Sequence, residues 1–160
     1  MLSASPPAPE LPLTEPVATE QRVVDRMLAR WDDLRRGRAF PSRADIERGG
    51  TGELESNLFL IAVGDEEIDD EVIGSGSEFR DALSLDPVGR RVVEILPSAT
   101  EKGLSFCRTA ARLKKPIMDV GNFTNPRGEE ILYRSIILPL SDDQENINYL
   151  VGAFSYKKVT

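Results

Sequence analysis

The chain has 160 residues, which is the usual size of one domain with a single hydrophobic core. Apolar residues make up 40% and charged residues 29% of the sequence, so the composition is that of a folded globular protein and not of a disordered chain. The net charge is −7 at pH 7, which opposes binding to nucleic-acid phosphates and to anionic membranes. We therefore expect no nucleic-acid partner and no membrane insertion.

The histidine and cysteine contents narrow the possible chemistry and the cellular compartment. The absence of histidine excludes Ser-His-Asp triads, zinc fingers and histidine-ligated haem. The one cysteine, Cys107, has no second thiol for an intramolecular disulfide, and the N-terminus lacks the pattern of a secretory signal peptide. The sequence therefore predicts a cytoplasmic protein without a metal site.

The N-terminal part divides into a tail and a helix. Residues 1–17 hold five prolines and no periodic apolar pattern, so we expect a flexible tail. Residues 18–160 are predicted to form a single domain that begins with a helix over 18–37. Apolar residues along this helix recur at steps of three and four and form one stripe, which consists of Val24, Met27, Leu28, Trp31 and Leu34.

The middle of the chain alternates short strands and helices. After a connector over 40–52, the apolar run Leu58–Val63 predicts a buried strand. The acidic stretch 65–71 carries six carboxylates in seven positions, so mutual repulsion favours a solvated loop or hairpin. The elements predicted after it are a strand at Glu71–Gly74, short helices at Ser77–Leu83 and Asp86–Val93, and a longer helix at Ser98–Lys115.

Three strands are predicted at the C-terminal end, over Pro116–Phe123, Ile131–Leu140 and Ile147–Tyr156. The connectors between them are short and rich in turn residues, which favours antiparallel neighbours. The last two strands are apolar at both odd and even positions, so both faces of the sheet must be covered. We predict an α+β domain with an antiparallel sheet of about five strands and helices on one face. The N-terminal helix then packs on the other face or at a homodimer interface.

Several motifs carry a family resemblance. Trp31-Asp-Asp-Leu-Arg-Arg-Gly-Arg-Ala-Phe-Pro-Ser-Arg-Ala-Asp resembles the helix signature of a divergent bacterial PAS group. Further similarity lies in Gly74 to Phe79, Asp86-Pro-Val-Gly-Arg, Ile137-Leu-Pro-Leu-Ser and Tyr149-Leu-Val-Gly-Ala, so that residues 20–157 are covered. The acidic stretch departs from the family pattern. The resemblance implies a PAS-like fold and a sensory or regulatory module that holds a small molecule between helices and sheet, or binds protein partners on the outer sheet face.

The candidate ligand pocket lies between the predicted sheet and the Ser98–Lys115 helix. An unknown small molecule would there contact Phe59, Phe106, Cys107, Ala110, Ala111, Tyr133, Arg134 and Phe154. Arg134 is a candidate for an anionic ligand group, although pairing with a nearby carboxylate is the simpler role. Cys107 lacks the Asn-Cys-Arg-Phe-Leu-Gln context of flavin-binding PAS relatives, so the sequence argues against flavin, and the lack of histidine argues against haem.

These observations favour a non-catalytic regulatory protein that works through protein–protein contacts with signalling proteins such as sensor kinases. We expect a homodimer in which the stripe from Val24 to Leu34 forms the dimer or partner interface. The alternative is a small-molecule sensor with its ligand between helices and sheet. Catalytic residues are not expected, because the carboxylates, Cys107 and the tyrosines fall in no recognisable catalytic pattern.

Overall fold

The centre of the molecule is a five-stranded antiparallel sheet in the order β2-β1-β5-β4-β3. The structure is a computed structural model that describes residues 14–49, 51–95 and 103–159, without the side chains of 14–21 and 103–106. The strands are β1 (Leu58–Ala62), β2 (Glu71–Ser75), β3 (Ile117–Thr124), β4 (Glu130–Leu140) and β5 (Tyr149–Val159). The predicted α+β class, the antiparallel sheet and its three-stranded C-terminal meander are confirmed.

Within the described residues, five helices pack around this sheet. They are α1 (Thr14–Arg35), α2 (Arg43–Gly49), α3 (Ser77–Leu83), α4 (Val92–Ile95) and α5 (Gly103–Leu113). Short 3-10 turns at Gly52–Asn57 and Glu67–Asp69 precede β1 and β2. In the described parts of the chain, no helix combines the length and the hydropathy needed to cross a membrane.

The sheet has apolar side chains on both faces, and each face has its own core. The inner face is the one that α3, α4 and α5 cover, and its core includes Phe59, Phe79 and Phe154. The outer face is covered by α1 and α2, and its core includes Trp31 and Leu138. Odd-numbered residues of β4 point to the inner face and even-numbered ones to the outer face, as strand alternation requires. The expectation of two covered faces is met within one chain.

Helix α1 is anchored at its C-terminal end. The Trp31 indole Nε1 donates a hydrogen bond of 2.9 Å to the Pro139 carbonyl of β4, while Met27 and Val24 are buried one and two turns earlier, respectively, in the same core. Arg36 and Gly37 then take φ values of +50° and +78°, a left-handed conformation that ends a helix. The helix therefore ends at Arg35, two residues before the predicted end.

Several boundaries differ from the sequence prediction. Helix α1 begins at Thr14, four residues earlier than expected, because Pro16 falls in the first turn, where a missing N–H costs little. Residues 1–13 of the predicted tail lie outside the described residues. The predicted helix Asp86–Val93 is helical only from Val92, since Gly89 has a φ of +87° and closes a turn there. The predicted connector 40–52 contains helix α2.

Candidate functional site

A small cavity lies in the inner-face core, between the sheet and α4–α5. Its volume is about 40 Å³, which is room for a few water-sized groups. Apolar side chains form most of its wall, and a polar end is formed by Asp119 and Tyr133, with Ser135 and Cys107 beside them.

Aromatic rings form a continuous array along the cavity. The rings of Phe59 and Phe79 stack at a centroid distance of 4.3 Å, and Phe79 meets Phe154 edge to face at 5.1 Å. Phe154 in turn stacks on Tyr133 at 5.5 Å. Because these rings come from β1, α3, β4 and β5, the array joins the helical layer to the sheet. Such pairs add about 0.5–1.5 kcal/mol each beyond the area that they bury.

The polar end of the cavity is a hydrogen-bonded pair on adjacent strands. The Tyr133 hydroxyl donates to Asp119 Oδ2 at 2.7 Å, and Asp119 is only 6% exposed. Burial, followed by the bond to the Asp119 carboxylate, raises the pKa of Tyr133 above its ordinary value. Tyr133 therefore keeps its proton at neutral pH and acts as a donor.

Cys107 is the thiol that α5 contributes to the cavity. Burial raises its pKa to about 12, and the carboxylates of Asp70 and Asp119 add to the effect. The protonated thiol is a poor nucleophile and a poor metal ligand. Within the described segments, no group of three potential ligands is placed to hold a metal ion.

The predicted pocket residues separate into those that line the cavity and those that do not. Phe59, Cys107, Tyr133 and Phe154 line it. Ala110 is fully buried in the same core, and Ala111 packs at the margin of that core. The side chain of Phe106 lies outside the described part of the chain.

Arg134 is placed differently from the sequence prediction. It follows Tyr133 directly in β4, so its side chain points to the outer face, next to Val120 of β3 and Ser155 of β5. It is half-buried there and does not lack a partner. Arg134 is therefore not part of the cavity wall, because one strand cannot direct two consecutive side chains to the same face.

The residues predicted for a dimer or partner interface contact their own sheet. Val24, Met27 and Trp31 are buried in the outer-face core, and Leu28 and Leu34 are partly buried against it. This arrangement is the first of the two positions that the sequence left open for the N-terminal helix. The interface role of the stripe stays a prediction.

Asp119 was missing from the predicted site, although the sequence contains a signal for it. On β3, the inward positions are Ile117, Asp119, Gly121 and Phe123. A carboxylate at an inward position of a half-apolar strand is costly unless it has a specific partner, and this cost marks it as a candidate. The alternation of β3 was therefore sufficient to single out Asp119.

A second buried carboxylate lies at the edge of the same core. Asp70 is 1% exposed and accepts hydrogen bonds at Oδ1 from the Gly64 N–H and from Arg108 Nη2, both at 2.9 Å. Arg108 Nη2 also donates to the Gly64 carbonyl at 2.7 Å. The expectation that the whole acidic stretch is solvated is wrong for Asp70, because this residue ties the stretch to α5.

Comparison with known proteins identifies the fold. No protein-family model and no curated protein matches the chain. A LOV domain from a blue-light activated histidine kinase of Erythrobacter litoralis matches 64% of this chain and 95% of its own length, with a TM-score of 0.50 and 19% identity. A fungal LOV photoreceptor matches 68% of this chain and 78% of its own, with a TM-score of 0.52 and 17% identity. LOV domains are a subfamily of PAS domains, so the chain has a PAS-like fold.

The comparison also corrects the expectation about flavin. A third solved structure of the same fold is a light-oxygen-voltage domain studied with a flavin analogue. It has a TM-score of 0.50 and 17% identity over 66% of this chain and 78% of its own length. The sequence argument against flavin is therefore wrong.

Proposed function

We propose that the chain is a non-catalytic regulatory domain that works through contacts with signalling proteins. The PAS-like fold supports a signalling role, and the protonation states of the core support the absence of catalysis. Cys107 and Tyr133 keep their protons at neutral pH, so neither is an activated nucleophile or base. The net charge of −7 and the buried single thiol are consistent with a cytoplasmic location.

The observation that carries this proposal is an apolar surface on β3. Met118 and Val120 point to the outer face of this edge strand and are 54% and 56% exposed. Large apolar residues that lie side by side and half-exposed next to unpaired strand edges favour protein contacts. We call these two residues the β3 surface. The inner-face core, in contrast, is largely filled by its own side chains.

The β3 surface gives a direct test. Val120→Glu places a charge on it, while Val88→Glu changes a second valine that is 44% exposed and lies in a turn. Each tagged variant is expressed in the native host, and the proteins that bind it are identified by mass spectrometry. We expect a signalling protein to be retained by the unmodified chain and by the Val88 variant, and to be lost at least tenfold with the Val120 variant. Equal retention by all three would contradict the proposal.

A small-molecule sensor is the second candidate, and the polar end of the cavity favours it. A buried carboxylate that faces an internal space supplies a specific recognition group inside an apolar wall. Native mass spectrometry of the purified protein, before and after denaturation, tests this candidate. A released compound at close to one equivalent supports the sensor, and an unchanged mass of the folded chain contradicts it.

A further inference from the structure

A groove lies on the outer face of the sheet, near the edge that β2 forms. Helix α1 packs on β4 and β5. Between β1 and β2 on one side, and α2 with the following 3-10 turn on the other, a space of about 390 Å³ remains that is open to solvent. Binding clefts have volumes of about 300–1,000 Å³, so this groove is large enough for a ligand group.

The floor of the groove is apolar. Leu58 and Leu60 of β1 point to the outer face and are only partly buried, and Ile46 and Val151 lie beside them. Gly74 of β2 pairs in register with Leu60, so the neighbouring outward position carries no side chain. A Cβ at Gly74 would meet Leu60 Cβ at an ordinary 3.5 Å, so packing within the sheet does not require glycine here. The absence of that side chain leaves the floor open.

The rim of the groove is acidic. Its two charged side chains are Glu47 of α2 and Glu55 of the 3-10 turn, and no lysine or arginine is among the described residues that line it. Glu47 binds Arg43 at 3.0 Å. The exposed Glu55 side chain has no hydrogen bond or ion pair within the described residues. A negative charge without a counter-charge therefore borders an apolar floor.

One kind of side chain matches both parts of the groove. Lysine and arginine carry a cationic head on an aliphatic stem, and the stem readily lies along apolar surface. An acidic segment would be repelled by the rim, and a purely apolar segment would leave the carboxylates beside it unpaired and partly desolvated.

We propose that this groove, which we call the β1–β2 groove, binds a segment of a partner protein through a lysine or arginine. The aliphatic stem lies on Leu58 and Leu60, and the cationic head pairs with Glu55. The groove is near the edge of the sheet opposite to β3. It therefore adds a second contact to the proposed function and does not depend on the β3 surface.

A library of random peptides displayed on phage is the probe, and it is selected on the full chain. The enriched peptides are synthesised, and their affinities are measured by fluorescence anisotropy. We expect them to share a lysine or arginine next to aliphatic residues. Replacing that residue by norleucine, which keeps an aliphatic stem without the charge, should lower the affinity at least tenfold.

Two variants of the chain test the two parts of the groove. Glu55→Lys reverses the charge at the rim, and Gly74→Val fills the floor, so each should lower the affinity of the peptides at least tenfold. Glu145→Lys makes the same change of net charge in the β4–β5 turn, and Asn122→Val adds a branched side chain to the opposite edge strand. Both controls should keep the affinity within twofold. Thermal unfolding shows that each variant is folded.

Several outcomes would overturn the proposal. Peptides without a basic residue do so, as does an unchanged affinity of either folded groove variant. If no peptide is retained, the proposal is also wrong, and sedimentation of the Gly74→Val variant then shows whether a second copy of the chain occupies the groove.

These results are separable from the fate of the proposed function. Peptides that lose affinity with Val120→Glu, and not with Glu55→Lys, bind the β3 surface and overturn the groove alone. If the peptides follow the groove variants while no signalling protein is retained through the β3 surface, the β1–β2 groove stands and the proposed function fails its own test.

Discussion

Phe59 owes its position to the absence of a side chain on the neighbouring strand. It pairs in register with Gly152 of β5, and a Cβ on Gly152 would lie 2.1 Å from Cζ of the Phe59 ring. The ring therefore covers the glycine backbone and extends the aromatic array toward α3. A glycine in a central strand lowers stability through its conformational entropy. Here the close approach of the Phe59 ring explains why glycine occupies position 152.

We predict that Gly152→Ala destabilises the protein by about 1–3 kcal/mol, because the ring must leave a well-packed core position. Gly74→Ala in β2 is the matched control, since its Cβ would meet Leu60 Cβ at an ordinary 3.5 Å. Urea unfolding of both variants measures the difference. Equal stability of the two would show that Phe59 repacks without cost.

Asp45 holds the turn after α1 through its charge. Burial alone would raise its pKa, but hydrogen bonds from the Ser42 backbone N–H and the Arg38 guanidinium lower it to about 2. Arg36 Nη2 adds a further bond at 2.8 Å. Because the folded pKa lies below the ordinary value of 3.8, the ionised form stabilises the fold above about pH 4, and this stability is lost as the pH falls through about 2.

The expected pH effect is specific to this carboxylate. Between pH 5 and pH 2 the unmodified protein should lose about 2 kcal/mol more stability than the Asp45→Asn variant, as follows from the lowered pKa. At pH 7, Asp45→Asn should be less stable than the unmodified protein. Urea unfolding at several pH values tests both statements, with Asp142→Asn as an exposed control. Parallel pH profiles for Asp45→Asn and the unmodified protein would exclude the effect.

At the scale of elements, α5 is fixed to the β1–β2 connector by the Asp70–Arg108 ion pair. Both residues are largely buried, with side-chain exposures of 1% and 17%. Asp70 Oδ2 and Arg108 Nε have no hydrogen-bond partner in the described structure, so the pair carries an unrelieved desolvation cost. Burial accordingly raises the pKa of Asp70, in spite of the bond from Gly64 and the charge of Arg108.

Removing one partner of this ion pair should destabilise the fold more than removing both charges. Arg108→Met leaves the Asp70 carboxylate buried without a cation, and we expect a loss of about 3–5 kcal/mol. Adding Asp70→Asn to that variant should recover part of the loss. Arg112→Met, an exposed change on the same helix, should cost less than about 0.5 kcal/mol. Thermal unfolding of the four proteins gives the comparison, and an equal loss for Arg108→Met and Arg112→Met would refute the role of the pair.

The sequence predicts elements whose pattern is local and misses those that depend on distant partners. Alternation in β4 and β5 predicts two apolar faces, and the turn Asn125–Gly128 closes the β3–β4 hairpin as expected, with a φ of +81° at Gly128. The burial of Asp70 among six carboxylates depends on Arg108, 38 residues away, and no local pattern reveals it. The outward position of Arg134 follows from strand parity and was available from the sequence.

At the scale of the whole molecule, one sheet separates two hydrophobic cores, and a different part of the chain covers each of them. Residues after β2 cover the inner face, and the N-terminal helix covers the outer face together with α2. The cavity with Asp119 and the β3 surface with Val120 therefore lie on opposite faces of the same edge strand. A displacement of β3 that accompanies binding on one face would also move the side chains that β3 presents on the other face.

The last prediction concerns the homodimer, for which α1 is the expected interface. Val24, Met27 and Trp31 are buried in their own chain, so a dimer through α1 must use the partly buried side of the stripe, where Leu28 lies. We expect Leu28→Asp to convert a dimer to a monomer in sedimentation analysis, because a charge there is desolvated at the contact. Ala29→Asp, at the next and exposed position, should leave the mass unchanged. An unmodified protein that sediments as a monomer, or a Leu28→Asp protein that stays dimeric and folded, would rule out α1 as the interface.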